Sequence, residues 1–115
     1  MGEKMELIFI TGGAGQGKRT YAREKYKDWK MIFDYEEVVR KDLDAGRNPL
    51  ETARKLLRTH DRLVITMAEV GAGLVPISGE DRKYRDLAGE TGCFLAEQAM
   101  EVYRMFSGIE MKLKG

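Results

Sequence analysis

The chain has 115 residues, 43% of them hydrophobic and 34% charged, which fills one compact domain and leaves no room for a second. Lys and Arg number 20 against 19 Asp and Glu, a formal net charge of +1, so no global positive field favours nucleic acid and any anion site has to be local. The lone cysteine, Cys93, excludes an intramolecular disulfide, and the apolar run Leu7-Ile8-Phe9-Ile10 is too short for a signal-peptide core or a membrane span. The cytoplasm is therefore the expected compartment, with neither a membrane span nor a nucleic-acid partner.

Met5 to Thr11 is an almost continuous apolar run rich in β-favouring residues, as a buried parallel strand requires, and it stops at a glycine cluster. Tyr21, Ala22, Lys25, Tyr26 and Trp29 then recur at spacings of three and four, which predicts a helix from Lys18 to Trp29. Met31 to Asp34 reads as a second short strand, followed by a helix from Glu36 to Ala45 that Gly46 closes in a left-handed conformation. Asn48 and Pro49 supply an N-cap and first-turn proline for another helix, with Leu50, Ala53, Leu56 and Leu57 on its inner face.

Leu63 to Met67 is again a buried-strand pattern. It runs into Glu69 to Pro76, a segment too apolar for an ordinary solvated loop and expected to fold over something. Asp81 to Met100 carries Tyr84, Leu87, Ala88, Thr91, Leu95 and Ala99 at helical spacing, with Gly89 and Gly92 read as places where a neighbour comes close. Val102 to Phe106 and Ile109 to Leu113 flank Ser107-Gly108 and predict a terminal β-hairpin. Strands alternating with helices before that hairpin predict an α/β fold with a mainly parallel sheet and a ligand at the carboxyl ends of its strands.

Gly12-Gly13-Ala14-Gly15-Gln16-Gly17-Lys18 has the spacing G-x-x-x-x-G-K between a strand and a helix, the context a phosphate loop requires. Glycines let successive backbone N–H groups turn toward phosphate oxygens, the helix N-terminus adds partial positive charge, and Lys18 adds a full one. The bland alternative is a glycine-rich turn with a surface lysine. The motif's last position is normally Ser or Thr, whose hydroxyl binds magnesium, but here it is Arg19. Thr20 is a poor substitute, because one residue along a helix turns the side chain by about 100°. Arg19 either neutralises phosphate charge itself or points to solvent, and the sequence leaves both open. Residues 12 to 20 form the candidate nucleotide site, and the fold it implies is that of the P-loop nucleotide-binding proteins.

A carboxylate at the end of a second strand is the usual companion of such a loop, and Glu69 is the candidate, against the plain reading of a solvated loop residue. Here the residues resemble a family. Gly12-Gly13-Ala14 with Gly17-Lys18, then Glu69-Val70-Gly71-Ala72-Gly73-Leu74-Val75-Pro76, Tyr84-Arg85-Asp86-Leu87-Ala88-Gly89, Leu95-Ala96-Glu97, Glu101-Val102-Tyr103, Gly108-Ile109 and Leu113-Lys114 are similar, in order, to the adenosylcobinamide kinase / adenosylcobinamide-phosphate guanylyltransferase family. The segment between Trp29 and Leu63 is expected to depart from it, lacking the acceptor-histidine helix and the aspartate-bearing strand. The chain thus resembles a short, reduced relative.

The resemblance implies a phosphotransferase of cobalamin biosynthesis that moves a phosphoryl group from ATP or GTP to the hydroxyl of a corrinoid. Lys18 and Glu69 would be its catalytic residues, Arg82, Arg85 and Asp86 would contact substrate, and magnesium would be held partly by Glu69. For Arg82 an ordinary helix-surface role stands equally open. His60 is the only histidine, and Arg58-Thr59-His60-Asp61-Arg62 does not match the guanylylated-histidine motif, so it is read as a connection residue. Two other readings stay open: a nucleotide- or corrinoid-binding protein without turnover, and a P-loop kinase of another small alcohol. Apolar residues in Leu74-Val75-Pro76-Ile77 and in the hairpin suggest a homo-oligomer, and the resemblance implies a trimer.

Overall fold

A computed structural model describes residues 5–69 and 79–115 of the chain, with no side-chain description at 79–81. The expectations that rest on Val70 to Pro76 and on Leu74 to Ile77 lie outside the described residues. The elements are β1 (Glu6–Gly12), α1 (Lys18–Lys25), β2 (Lys30–Ile32), α2 (Tyr35–Asp44), α3 (Pro49–Thr59), β3 (Arg62–Ala68), α4 (Gly79–Gln98), β4 (Glu101–Phe106) and β5 (Ile109–Lys114). They form a five-stranded sheet in the order β2-β3-β1-β4-β5. The first four strands are parallel and β5 is antiparallel to β4. This is the expected mainly parallel α/β architecture, with its hairpin.

Both faces of the sheet are covered, which is why β1 and β3 are apolar without alternation. Leu7, Phe9, Leu63, Ile65 and Met67 face one core with Val39 of α2, Ala53 of α3, and Ala88 and Leu95 of α4. Ile8, Ile10, Val64, Tyr103 and Met105 face the other with Ala22 of α1 and Tyr26.

The local signals at the middle helices act as expected. The Asn48 side chain accepts from the Leu50 N–H at 2.9 Å, with Pro49 in the first turn, and Gly46 closes α2 at φ +74. Helix α1 ends at Lys25, short of Trp29. The Tyr26 ring is drawn into the core beside Trp29, with centroids 5.3 Å apart, and the chain turns there to enter β2. Gly89 corrects the sequence expectation: a Cβ there would meet open space, and at Gly92 it would make only ordinary contact with Met67. The glycines border cavities instead of admitting a neighbouring backbone.

Against α1, Glu101 accepts hydrogen bonds from the hydroxyls of Tyr103 at 2.8 Å and Tyr26 at 3.1 Å. The Tyr103 bond in particular holds its carboxyl below the usual range, with burial opposing. Since the folded value lies below the unfolded one, the carboxylate's contribution is complete above the ordinary glutamate value of about 4.3 and is lost as pH falls below it. Glu101→Gln keeps an acceptor but not the charge. Urea denaturation should show a stability gap between parent and variant at neutral pH that closes toward acid, and a gap independent of pH would refute the assignment.

Strand β5 is exposed along its whole length. Ile109 is 65% exposed, Leu113 58% and, on β4, Phe106 62%, so this edge carries an apolar strip with no cover among the described residues.

Candidate functional site

The parallel strands β1 and β3 run side by side and end together, and the chain leaves β1 toward β2 on one side while β3 leads to β4 on the other. The carboxyl ends of β1 and β3 therefore flank a point where the connections diverge, the place where sheets of this class bind ligands. Residues 12 to 17 turn across it. Gly12 has φ +139, Gly15 +73 and Gly17 +97, conformations that require glycine. A cavity of about 390 Å³ opens here, lined by Ala14, Gly15, Gln16, Gly17, Lys18, Arg19, Thr20, Asp34, Glu36 and Ala68.

Lys18 is 7% exposed. Its Nζ donates to the carbonyls of Gly12 at 3.1 Å and Gly13 at 2.7 Å, which holds the ammonium against the loop. Lys18 and Arg19 open α1, and no acidic residue stands in its first turn. Two cations at the positive end of a helix dipole disfavour each other and the helix, a cost that Asp34, paired with Arg19, offsets in part and a bound anion would offset further.

The loop is also tied to the far end of the chain. The Gln16 side-chain oxygen accepts from the Ser107 N–H at 2.6 Å and its carbonyl from the Gly108 N–H at 3.0 Å, so the turn between β4 and β5 clamps the glycine loop.

The carboxylates are distributed differently from the sequence reading. Glu69 follows β3, and its N–H donates to the Gly12 carbonyl at 3.1 Å. Its carboxylate, however, is held in a fork by Arg104, at 3.0 and 3.1 Å, and does not line the cavity at the loop. Asp34 and Glu36 line it instead. Asp34 sits at φ +59 where β2 passes into α2, its N–H donating to the buried Thr66 hydroxyl at 2.9 Å, and its carboxylate pairs with Arg19. Glu36 accepts from the Ala68 N–H at 2.8 Å. Sequence reasoning misses both. The one signal is Asp34 closing the predicted second strand, and nothing in the chain order says that β2 lies two strands from the loop on the side that the cavity opens.

Arg82, Arg85 and Asp86 lie on the first half of α4 and do not line the cavity at the loop. Arg85 and Asp86 border an open groove of about 640 Å³ with Leu50 and Arg54 of α3 and Cys93 and Phe94 of α4. Arg82 and Asp86 border a separate surface hollow. A further cavity of about 280 Å³, bounded by Phe9, Thr11, Met67, Ala68, Glu69, Gly89, Gly92 and Cys93 among others, shares Ala68 with the cavity at the loop. His60 caps the end of α3, its Nδ1 3.0 Å from the Leu56 carbonyl, at the amino end of β3 and so at the opposite end of the strands from the loop. A seven-residue strand puts about 20 Å between it and the loop.

The side chains around the loop do not suit magnesium, which takes oxygen ligands in octahedral geometry. No hydroxyl stands at position 19, Asp34 is already paired with Arg19, Glu36 is bonded to backbone, and Glu69 belongs to Arg104. Among the described residues no cluster of three His, Cys, Asp or Glu side chains could hold a metal ion.

Residues 30–113 match the family model described as cobinamide kinase / cobinamide phosphate guanyltransferase. The match takes in the whole stretch between Trp29 and Leu63, where the sequence alone points to a departure from the family, while the glycine loop lies before it. Two curated relatives are the bifunctional adenosylcobalamin biosynthesis proteins CobU of Escherichia coli, 43% identical over 53 residues, and of Salmonella typhimurium, 42% identical over 53 residues. Each aligned stretch is 46% of this chain and 29% of the relative.

Proposed function

Since the chain belongs to the cobinamide kinase / cobinamide phosphate guanyltransferase family, we propose that it binds ATP or GTP through residues 12 to 20 and transfers a phosphoryl group to the hydroxyl of cobinamide or a similar corrinoid. The observation that carries this reading is a glycine loop leading into a helix whose first turn holds Lys18 and Arg19 and no acid, beside the carboxyl ends of β1 and β3. In the reaction the acceptor oxygen bonds to the γ-phosphorus, the bond from that phosphorus to the β–γ bridging oxygen breaks, and the hydroxyl proton leaves. The developing charge on the phosphoryl oxygens would be met by loop N–H groups, Lys18 and Arg19. Glu69, oriented by Arg104 and bordering the cavity next to the phosphate cavity, would face the acceptor and take its proton. Arg82, Arg85 and Asp86 would have to contact outlying parts of the acceptor. A guanylyl-transfer step has no suitable histidine, because His60 stands at the amino end of β3, away from the loop.

The test is incubation of the intact chain with cobinamide and γ-labelled ATP or GTP. Labelled cobinamide phosphate is expected, and His60→Ala should form it at the parent rate. Nucleotide binding without transfer would favour a binding protein, and transfer to another alcohol a different kinase. A GMP adduct on the protein that disappears in His60→Ala would overturn the role denied to that histidine. The strip Phe106, Ile109 and Leu113 supports self-association as part of this proposal, and light scattering should give a mass above the 13.1 kDa monomer.

A further inference from the structure

Resting on the nucleotide reading above, we propose that the guanidinium of Arg19 serves as the built-in cation of the phosphate cavity, so that the protein binds nucleoside polyphosphates without a divalent metal. Arg19 occupies the motif position from which a hydroxyl would otherwise reach magnesium. Its side chain is about half exposed, 53%, but it is held in place. It pairs with the Asp34 carboxylate and lies over the Phe33 ring, 5.4 Å from the centroid, with Arg23 on the same ring at 5.0 Å. Asp34 is itself held by the Thr66 hydroxyl at its N–H, so the guanidinium is positioned from the sheet and not by its own helix alone.

Charge and donor geometry make this substitution workable. A guanidinium carries five N–H donors in a fixed plane, and one edge spent on Asp34 leaves others for phosphate oxygens. It stays protonated at every accessible pH and needs no dehydration of the kind magnesium resists. The cavity lining then holds two cations, Lys18 and Arg19, and two carboxylates, Asp34 and Glu36, the latter fixed on the Ala68 N–H. A divalent ion entering beside Asp34 would have to expel the guanidinium from its partner and would meet its positive charge at short range. The cation site and its counter-ion are, in effect, already occupied by the chain itself.

Calorimetric titration of ATP and of GTP into the intact protein, in magnesium and in EDTA, tests this for the parent and Arg19→Ser, with circular dichroism confirming that the exposed substitution leaves the fold unchanged. Parent affinity should differ by less than about threefold between the two conditions, whereas Arg19→Ser should lose about tenfold in EDTA and recover with magnesium. A parent that loses about tenfold in EDTA, or an Arg19→Ser variant whose EDTA affinity equals the parent's, overturns the inference while leaving the nucleotide site standing. Absence of binding in both conditions overturns the nucleotide reading and this inference with it.

Discussion

Lys18→Ala is expected to lower affinity for ATP and GTP by about two orders of magnitude or more, into the range where titration detects no binding. Truncating one member of a buried, hydrogen-bonded charge pair costs about 2–5 kcal/mol, and each 1.4 kcal/mol is a factor of about ten. Lys18 is the most deeply buried cation of the cavity, with its ammonium on the Gly12 and Gly13 carbonyls. Removing it also strips those two acceptors of a donor, so the loop itself is expected to loosen. A thermal melt separates the two effects: the melting temperature should fall by a few degrees only, since no core side chain is lost. Unchanged nucleotide affinity in a folded Lys18→Ala protein would remove the phosphate-loop reading altogether.

Gly12→Ala should act on the fold before it acts on the ligand. A Cβ at this position would lie 2.5 Å from the Met105 carbonyl oxygen and 3.2 Å from its nitrogen, and both atoms belong to the backbone of β4. Neither can swing aside as a side chain would, and φ +139 is a conformation that alanine resists. Overpacking and backbone strain together should cost about 2–5 kcal/mol, a large share of the roughly 5–15 kcal/mol that holds a domain folded. Gly46→Ala is the control, because Gly46 also has positive φ, +74, but nothing lies within 4 Å of its Cβ position. Urea denaturation should show a loss at Gly46 of about 1–2 kcal/mol, from strain alone. Equal losses at the two positions would mean that the approach of β4 to the loop does not constrain Gly12.

Signals that act over a few residues are legible in the chain itself. The runs Leu7 to Ile10 and Leu63 to Met67 announce buried strands, since only a strand covered on both faces is apolar at every position. Asn48, Pro49 and Gly46 mark helix ends through capping and φ. Ser107-Gly108 marks a hairpin turn, and the glycine spacing before Lys18 marks a loop able to cradle an anion. The caps and turns depend on bonds between near neighbours, and the strand runs on a local pattern of apolar residues, which is why the residues themselves suffice.

The composition of the site was decided by tertiary structure. Whether Asp34, Glu36 or Glu69 faces the loop depends on strand order, and order is set by how helices pack across the sheet, a sum over contacts distant in sequence. Asp34 reaches the cavity because β2 lines up beside β3 and Thr66 anchors its N–H. Glu69, adjacent to the loop through its backbone, turns its carboxylate to Arg104, 35 residues away. Arg19 poses the same question, because its partners Asp34 and Phe33 come from a part of the chain that only the fold brings beside it. Local sequence determined that a glycine-rich turn would join the first strand to a helix opening at Lys18. The fold alone determined which charges surround it, because a charge is satisfied by whichever partner three-dimensional packing delivers.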